Sequence, residues 1–344
     1  MREAGRSRLP FGVLLLCVLV IGATAFVGTT DPKFRTTNFI SGLPSNGKVG
    51  ASGMVFQKEN MFVMDGGNSC LYRFDASKGG VTSAALNCYN DMGGGFKGLA
   101  LDMSGRLFVA HSSQGVVLEL NPNDGKVVRR AAENIPGASN VAVDVVGGDL
   151  FVTGSDDSIY RFRQGKKEVY ARLEGTEGTT KPLSFAPDGS LYTASKGSIF
   201  LVPYSHNEAS VPKPLLSGLS DIKALALSPD WKTLTATQAD GKVTQVKLQN
   251  RDTVTVLVGG SPSDNVIYGP DGCAYITQTD GIVKISNDDG TCGDGDLNIE
   301  APPTSVRQFN KVSGILLTVS LCSDGRDCRT GHSTACRKLY VFRL

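Results

Sequence analysis

Gly98-Leu-Ala-Leu-Asp102-Met-Ser-Gly105-Arg-Leu107-Phe-Val-Ala110 reads as a short apolar strand, a polar turn and a second apolar strand, and Val116-Val-Leu-Glu-Leu120 follows as a third. The phrase recurs, with opening strands near Gly53, Gly98, Val141, Pro182, Ala224, Val266 and Val306, a period of about 42 residues. The second strands stack as Met61-Phe-Val-Met, Leu107-Phe-Val-Ala, Leu150-Phe-Val-Thr, Leu191-Tyr-Thr-Ala, Leu234-Thr-Ala-Thr, Ala274-Tyr-Ile-Thr and Ile315-Leu-Leu-Thr. A strand-built unit of this length is one four-stranded blade, and a blade covers its apolar faces only by packing on like neighbours. The period therefore predicts an all-β propeller of seven blades. Six is the alternative count, because the last unit has an expanded middle loop.

The turns agree. Asp102-Met-Ser-Gly105, Pro187-Asp-Gly189 and Pro270-Asp-Gly272 carry hairpin chemistry, with glycine supplying the positive φ. Third strands such as Ile159-Tyr-Arg-Phe and Leu339-Tyr-Val-Phe alternate in a way that predicts one wetter face. Residues 35–42 form an extra strand before the first unit, whereas the last unit stops on its third strand. Pairing the two would close the ring and hide a sheet edge.

Residues 1–25 read as a secretory leader: Arg2, Arg6 and Arg8 precede the apolar run 11–20, and Ala23-Thr24-Ala25 supplies the cleavage site. Residues 26–344 are then one propeller domain, secreted or periplasmic and expected to be monomeric. An uncleaved membrane anchor over residues 11–27 is the alternative. Seven cysteines lie outside the leader: Cys70, Cys88, Cys273, Cys292, Cys322, Cys328 and Cys336. Cys70 and Cys88 fall on neighbouring strands and are the natural pair, and the odd number leaves one thiol over. A net charge of +2 gives no footprint for nucleic acid.

At Gly98-Leu-Ala-Leu-Asp102-x-x-Gly105-x-Leu-Phe-Val and Pro187-Asp-Gly-Ser-Leu-Tyr the chain resembles NHL-repeat and SMP-30/gluconolactonase-like propellers. The resemblance rests on strand and hairpin residues, so it implies architecture more than activity. It would imply a channel metal held by Glu, Asn and Asp. Asn140 and Asn265 match the Asn, but the Glu of the first blade has no counterpart. A virginiamycin lyase-like propeller would need a His–Glu metal constellation, and His111, His206 and His332 supply no such motif.

Function in a propeller gathers where the innermost strands begin around the channel. Those positions carry Lys97, Asn140, Lys181, Lys223, Asn265 and Arg307, a set suited to an anion rather than a divalent cation. The competing reading has these lysines merely splayed outward along the strand starts. No resident cofactor or metal is expected. The acidic loop 287–296 lacks EF-hand spacing and suggests only adventitious calcium. The Cys-bearing loop 322–336 is a second candidate recognition element. The sequence thus predicts an exported scaffold that binds a protein or a small anionic ligand, the alternative being a metal-dependent lactonase-like hydrolase or lyase.

Overall fold

A computed structural model describes residues 35–41, 51–57, 60–66, 69–75, 81–82, 85–257 apart from 145 and 177–180, 262–268, 272–278, 281–285, 297–300, 304–310, 315–320 and 338–343. Among the described residues everything regular is strand, save one 3-10 turn at Asn90–Met92. There are six four-stranded antiparallel sheets, five of them built from consecutive strands; in the first, the short strand Val81–Thr82 intervenes before the fourth and joins another sheet. Blade 1 comprises Ala51–Gln57, Asn60–Asp65, Cys70–Asp75 and Ala85–Cys88. Blade 2 comprises Phe96–Leu101, Leu107–His111, Val116–Leu120 and Val127–Ala132, and blade 3 Asn140–Val143, Leu150–Thr153, Ser158–Arg163 and Lys166–Arg172. Blade 4 runs through Leu183–Phe185, Leu191–Ser195, Ser198–Val202 and Lys213–Leu216. Blade 5 is Ile222–Leu227, Thr233–Gln238, Val243–Lys247 and Thr253–Leu257, and blade 6 Ser263–Tyr268, Ala274–Gln278, Gly281–Ile285 and Leu297–Glu300.

A further, five-stranded sheet orders Thr304–Asn310, Ile315–Ser320, Lys338–Arg343, Arg35–Ser41 and Val81–Thr82. The early and late strands of the chain meet here as their patterns predict: Thr36 lies opposite Phe342 and Asn38 opposite Tyr340. The first strands of consecutive blades adjoin one another, and Thr304–Asn310 lies between those of blades 6 and 1. The protein is an all-β propeller.

The apolar core is divided into layers between blades. Val55, Phe62, Leu71, Leu107 and Leu118 fill the layer between blades 1 and 2. Phe108, Val117, Ala131, Val152 and Phe162 fill the next. Comparable layers join blades 3 and 4, 4 and 5, and 5 and 6. Because blades 2–5 are covered on both sides, the expected wet face of the third strands is absent in places. Val116–Leu120 is buried throughout, and Arg161 in Ser158–Arg163 is only 1% exposed. Its guanidinium lies over the Tyr170 ring, donates to the Ser205 carbonyl and pairs with Glu168.

Cys70 and Cys88 face each other across the third and fourth strands of blade 1 and form a disulfide, with Cα atoms 4.1 Å apart. Cys273 is also disulfide-bonded, while Cys292, Cys322, Cys328 and Cys336 lie outside the described residues. The innermost strands approach closely where glycine permits. A Cβ on Gly98 would stand 2.8 Å from the Ser139 carbonyl oxygen and 3.0 Å from the Val141 amide nitrogen. Gly98→Ala is therefore expected to cost ~1–3 kcal/mol by forcing two backbones apart. Removal of both Cys70 and Cys88 is expected to cost about 3 kcal/mol, given the short loop they close. Denaturant titrations of the two variants against the parent would check both values.

Candidate functional site

Antiparallel order gives each blade two unlike ends. One end carries the starts of the innermost strands and the turns between second and third strands. The other carries the turns that join first to second and third to fourth strands.

Lys97, Asn140, Lys181, Lys223 and Asn265 fall at or near the first of these ends, whereas Arg307 lies mid-strand in Thr304–Asn310. Their side chains diverge. Lys97 is exposed, and Lys223 is exposed and paired with Asp221 at 2.5 Å. Lys181 is fully buried, and its Nζ donates to the carbonyls of Gly154 and Asp156 in the preceding blade. The Lys181 carbonyl in turn accepts from Asn140 Nδ2 at 3.1 Å and from Thr153 Oγ1 at 3.2 Å. Lys181 and Asn140 thus latch blade 4 to blade 3. Of the expected set, Lys181 is enclosed by the fold, because carbonyls of the neighbouring blade satisfy its ammonium. Asn265 is half-buried, and its Oδ1 accepts from the Val266 amide. For Arg307 only the strand position is described.

Of the described histidines, His111 and His206 lie apart. His111 is buried rather than a surface residue, edge-on to Phe96 at 4.5 Å, and its Nδ1 accepts from the Gln114 amide at 3.2 Å. Burial holds its pKa below the ordinary value, so the ring stays neutral. His206 lies at the opposite end of the molecule, in the loop after Ser198–Val202. Among the described residues no three His, Cys, Asp or Glu side chains stand close enough to hold a metal ion. These residues do not fit the channel metal that the resemblance implies. His332, the acidic loop 287–296 and the loop 322–336 lie outside the described residues.

At the other end, the wedge between blades 2 and 3 opens into a cleft of about 450 Å³. Phe108, Ala131, Val143, Leu150 and Phe162 contribute its apolar walls, and Arg106, Arg129, Arg163, Asp149 and His206 its polar ones. Each arginine is fixed from behind by a carboxylate. Arg106 Nε lies 2.6 Å from Asp102 Oδ2, Arg129 Nη2 lies 2.8 Å from Glu119 Oε2, and Arg163 Nε donates to Asp149 Oδ2 at 2.8 Å. The side chains of Asp102, Glu119 and Asp149 are only 6%, 10% and 7% exposed, whereas those of Arg106 and Arg129 keep 50% and 47%. Among the described residues these are the three ion pairs with the most buried carboxylates. The cleft thus faces an incoming molecule with guanidinium groups. Arg163 also donates through Nη1 to the His206 carbonyl, which pins the blade 4 loop as a third wall.

Each arginine sits beside ordinary strand and turn chemistry. Asp102 Oδ1 caps its own turn, accepting from the Ser104 hydroxyl and the Arg106 amide at 2.8 Å each. Gly147, Gly148 and Gly165 line the cleft where side chains would otherwise fill it. No motif flagged these residues in the sequence. The signal available was arginine next to a turn in two consecutive repeats, at Gly105-Arg106 and Arg163-Gln-Gly165.

No family model matches the sequence, and no curated protein matches it either. Solved structures do match in shape. Virginiamycin B lyase from Staphylococcus aureus superposes with a TM-score of 0.67 at 12% identity, covering 90% of this chain and 99% of that one. A catalytically inactive variant of the same enzyme with quinupristin gives 0.68 at 11%, with the same coverage. A streptogramin B lyase gives 0.69 at 13%, covering 90% and 98%. The likeness is one of fold. Among the described residues no helix is long and apolar enough to cross a membrane.

Burial works against ionisation of Asp102, but the Arg106 amide, the Ser104 hydroxyl and the Arg106 guanidinium outweigh it and hold its pKa below the ordinary 3.8. A depressed carboxylate adds stability that is complete above its unfolded pKa and is lost as pH falls through the folded one. The parent protein should therefore lose part of its stability below about pH 4. Asp102→Asn should start less stable at neutral pH and show a shallower acid limb, which thermal melts between pH 2 and 6 would measure.

Proposed function

We propose that this chain is an exported binding propeller that takes a small organic anion in the cleft between blades 2 and 3. The five-stranded sheet is counted in this reading as the seventh blade of the ring, sealed by the strand Arg35–Ser41. Export agrees with the disulfide in blade 1, since such bonds persist in oxidising compartments. The observation that carries the binding reading is the convergence of Arg106, Arg129 and Arg163 on one cleft of mixed polar and apolar lining. Ion pairs with buried carboxylates are poor stabilisers, because desolvation offsets most of their attraction. As orienting devices they are effective, holding each guanidinium in place before a ligand arrives. A volume of about 450 Å³ is that of a drug-sized ligand site. The ring of strand starts offers less, because Lys181 is committed to the fold and Lys223 to Asp221.

A lyase of the virginiamycin type is the competing reading, favoured by the shared fold alone. Incubation with quinupristin, followed by mass spectrometry and chromatography, separates the two. Turnover would move the assignment to the enzyme.

Calorimetric titration with organic anions of 8–15 heavy atoms is expected to give saturable binding that weakens with salt. The double substitution Arg129→Gln and Glu119→Gln removes one charge of each sign and should weaken binding about tenfold, as for a lost contact of ~1.4 kcal/mol. Absence of heat from every anion at millimolar concentration, or unchanged affinity in the double variant, would sink the reading.

A further inference from the structure

The cleft's chemistry narrows the ligand further, and this step rests on the binding reading above. The Arg106 guanidinium lies over the Phe108 ring with its central carbon 5.6 Å from the ring centroid. Its Nε is held at 2.6 Å by Asp102 Oδ2. One edge of the guanidinium is therefore on a carboxylate with an aromatic ring beside it, yet half the side chain stays exposed. An exposed planar cation beside an aromatic ring suits a flat π-system better than a puckered one. Phe108 and Phe162 both line the same cleft, from blades 2 and 3. Arg129, from the outer strand of blade 2, has its Nη2 2.8 Å from Glu119 Oε2 in an ion pair and keeps 47% of its side chain exposed.

We infer that the ligand is a planar aromatic carboxylate or sulfonate, its ring stacked on the Arg106–Phe108 pair and its anion taken by Arg129. Arg106 is then the residue that determines specificity, and Arg129 the one that supplies charge recognition. Arg163, whose Nε and Nη1 are engaged by Asp149 and His206, fixes the wall rather than the ligand.

The test compares three probes of matched outline on the full-length protein by calorimetry: 2-naphthoate, decahydro-2-naphthoate and 2-naphthamide. Expected is 2-naphthoate binding about tenfold more tightly than its saturated counterpart, with the neutral amide weaker than either. Arg106→Met, which keeps the length and apolar stem, should weaken both acids through the lost charge and bring their affinities together, erasing the aromatic preference. The Arg129→Gln, Glu119→Gln variant should weaken both acids alike. Equal affinity of the two acids for the parent protein would overturn the aromatic assignment and leave the anion reading intact, and this comparison needs no variant to fold. If neither acid binds while other organic anions do, the aromatic assignment likewise falls. If no anion binds at all, the cleft reading falls with it.

Discussion

Four strands cannot bury both faces of their own sheet, and every feature of this protein follows from that shortage. Each blade borrows its cover from the next, so the core is a sequence of thin apolar layers rather than one central mass. The layer between blades 2 and 3 shows the requirement plainly: Phe108, Val117 and Ala131 from one sheet meet Val152, Tyr160 and Phe162 from the other. What such a layer demands is apolar volume at alternate positions, and many residue combinations satisfy it. That tolerance explains how chains only 11–13% identical superpose over 90% of this one.

The same demand sets what the sequence could disclose. Strands and hairpins were legible because their signals are local: alternation of period two, an Asp that caps its own turn, a Gly at positive φ such as Gly105 or Gly189. The Cys70–Cys88 bridge was legible for the same reason, since adjacent strands of one sheet bring the residues together. Lysine placement was not. Lys97, Lys181 and Lys223 hold equivalent places in the repeat, yet two are exposed and one is enclosed. Their difference depends on the neighbouring blade, where the 154–157 turn offers carbonyls to Lys181. Position along a strand is written in the repeat. What the next blade places against that position is not.

The cleft was invisible for a related reason. Arg106, Arg129 and Arg163 come from two blades and three kinds of position: a strand start after a hairpin, an outer edge strand and the end of a third strand. Only the packing of one sheet on the other brings them together. The expectation of one wetter face along Ile159-Tyr-Arg-Phe also misled, because it put Arg161 on that face. In fact Arg161 is enclosed, and the guanidinium groups of Arg161 and Arg163 grip the carbonyls of Ser205 and His206.

Why the opening lies at this end of the wedge can be argued from the turns. Hairpins need residues at positive φ, and glycine meets that need without strain. Gly148 and Gly165 have φ of +71° and +78°, and nothing lies within 4 Å of where their Cβ atoms would be. The hairpins of blade 3 therefore leave space at Gly148 and Gly165, while Phe108 and Phe162 line the same gap from the strands behind them. Turn ends are also where strands pass from apolar to polar residues, so arginines arrive at the rim. Left unpaired they would extend into water. The enclosed carboxylates of Asp102, Glu119 and Asp149 instead hold them beside the gap, at a desolvation cost that purely structural packing would avoid by using apolar side chains. On the proposed binding reading, ion pairs that stabilise little but fix three cations beside one gap serve what the gap would receive more than they serve folding.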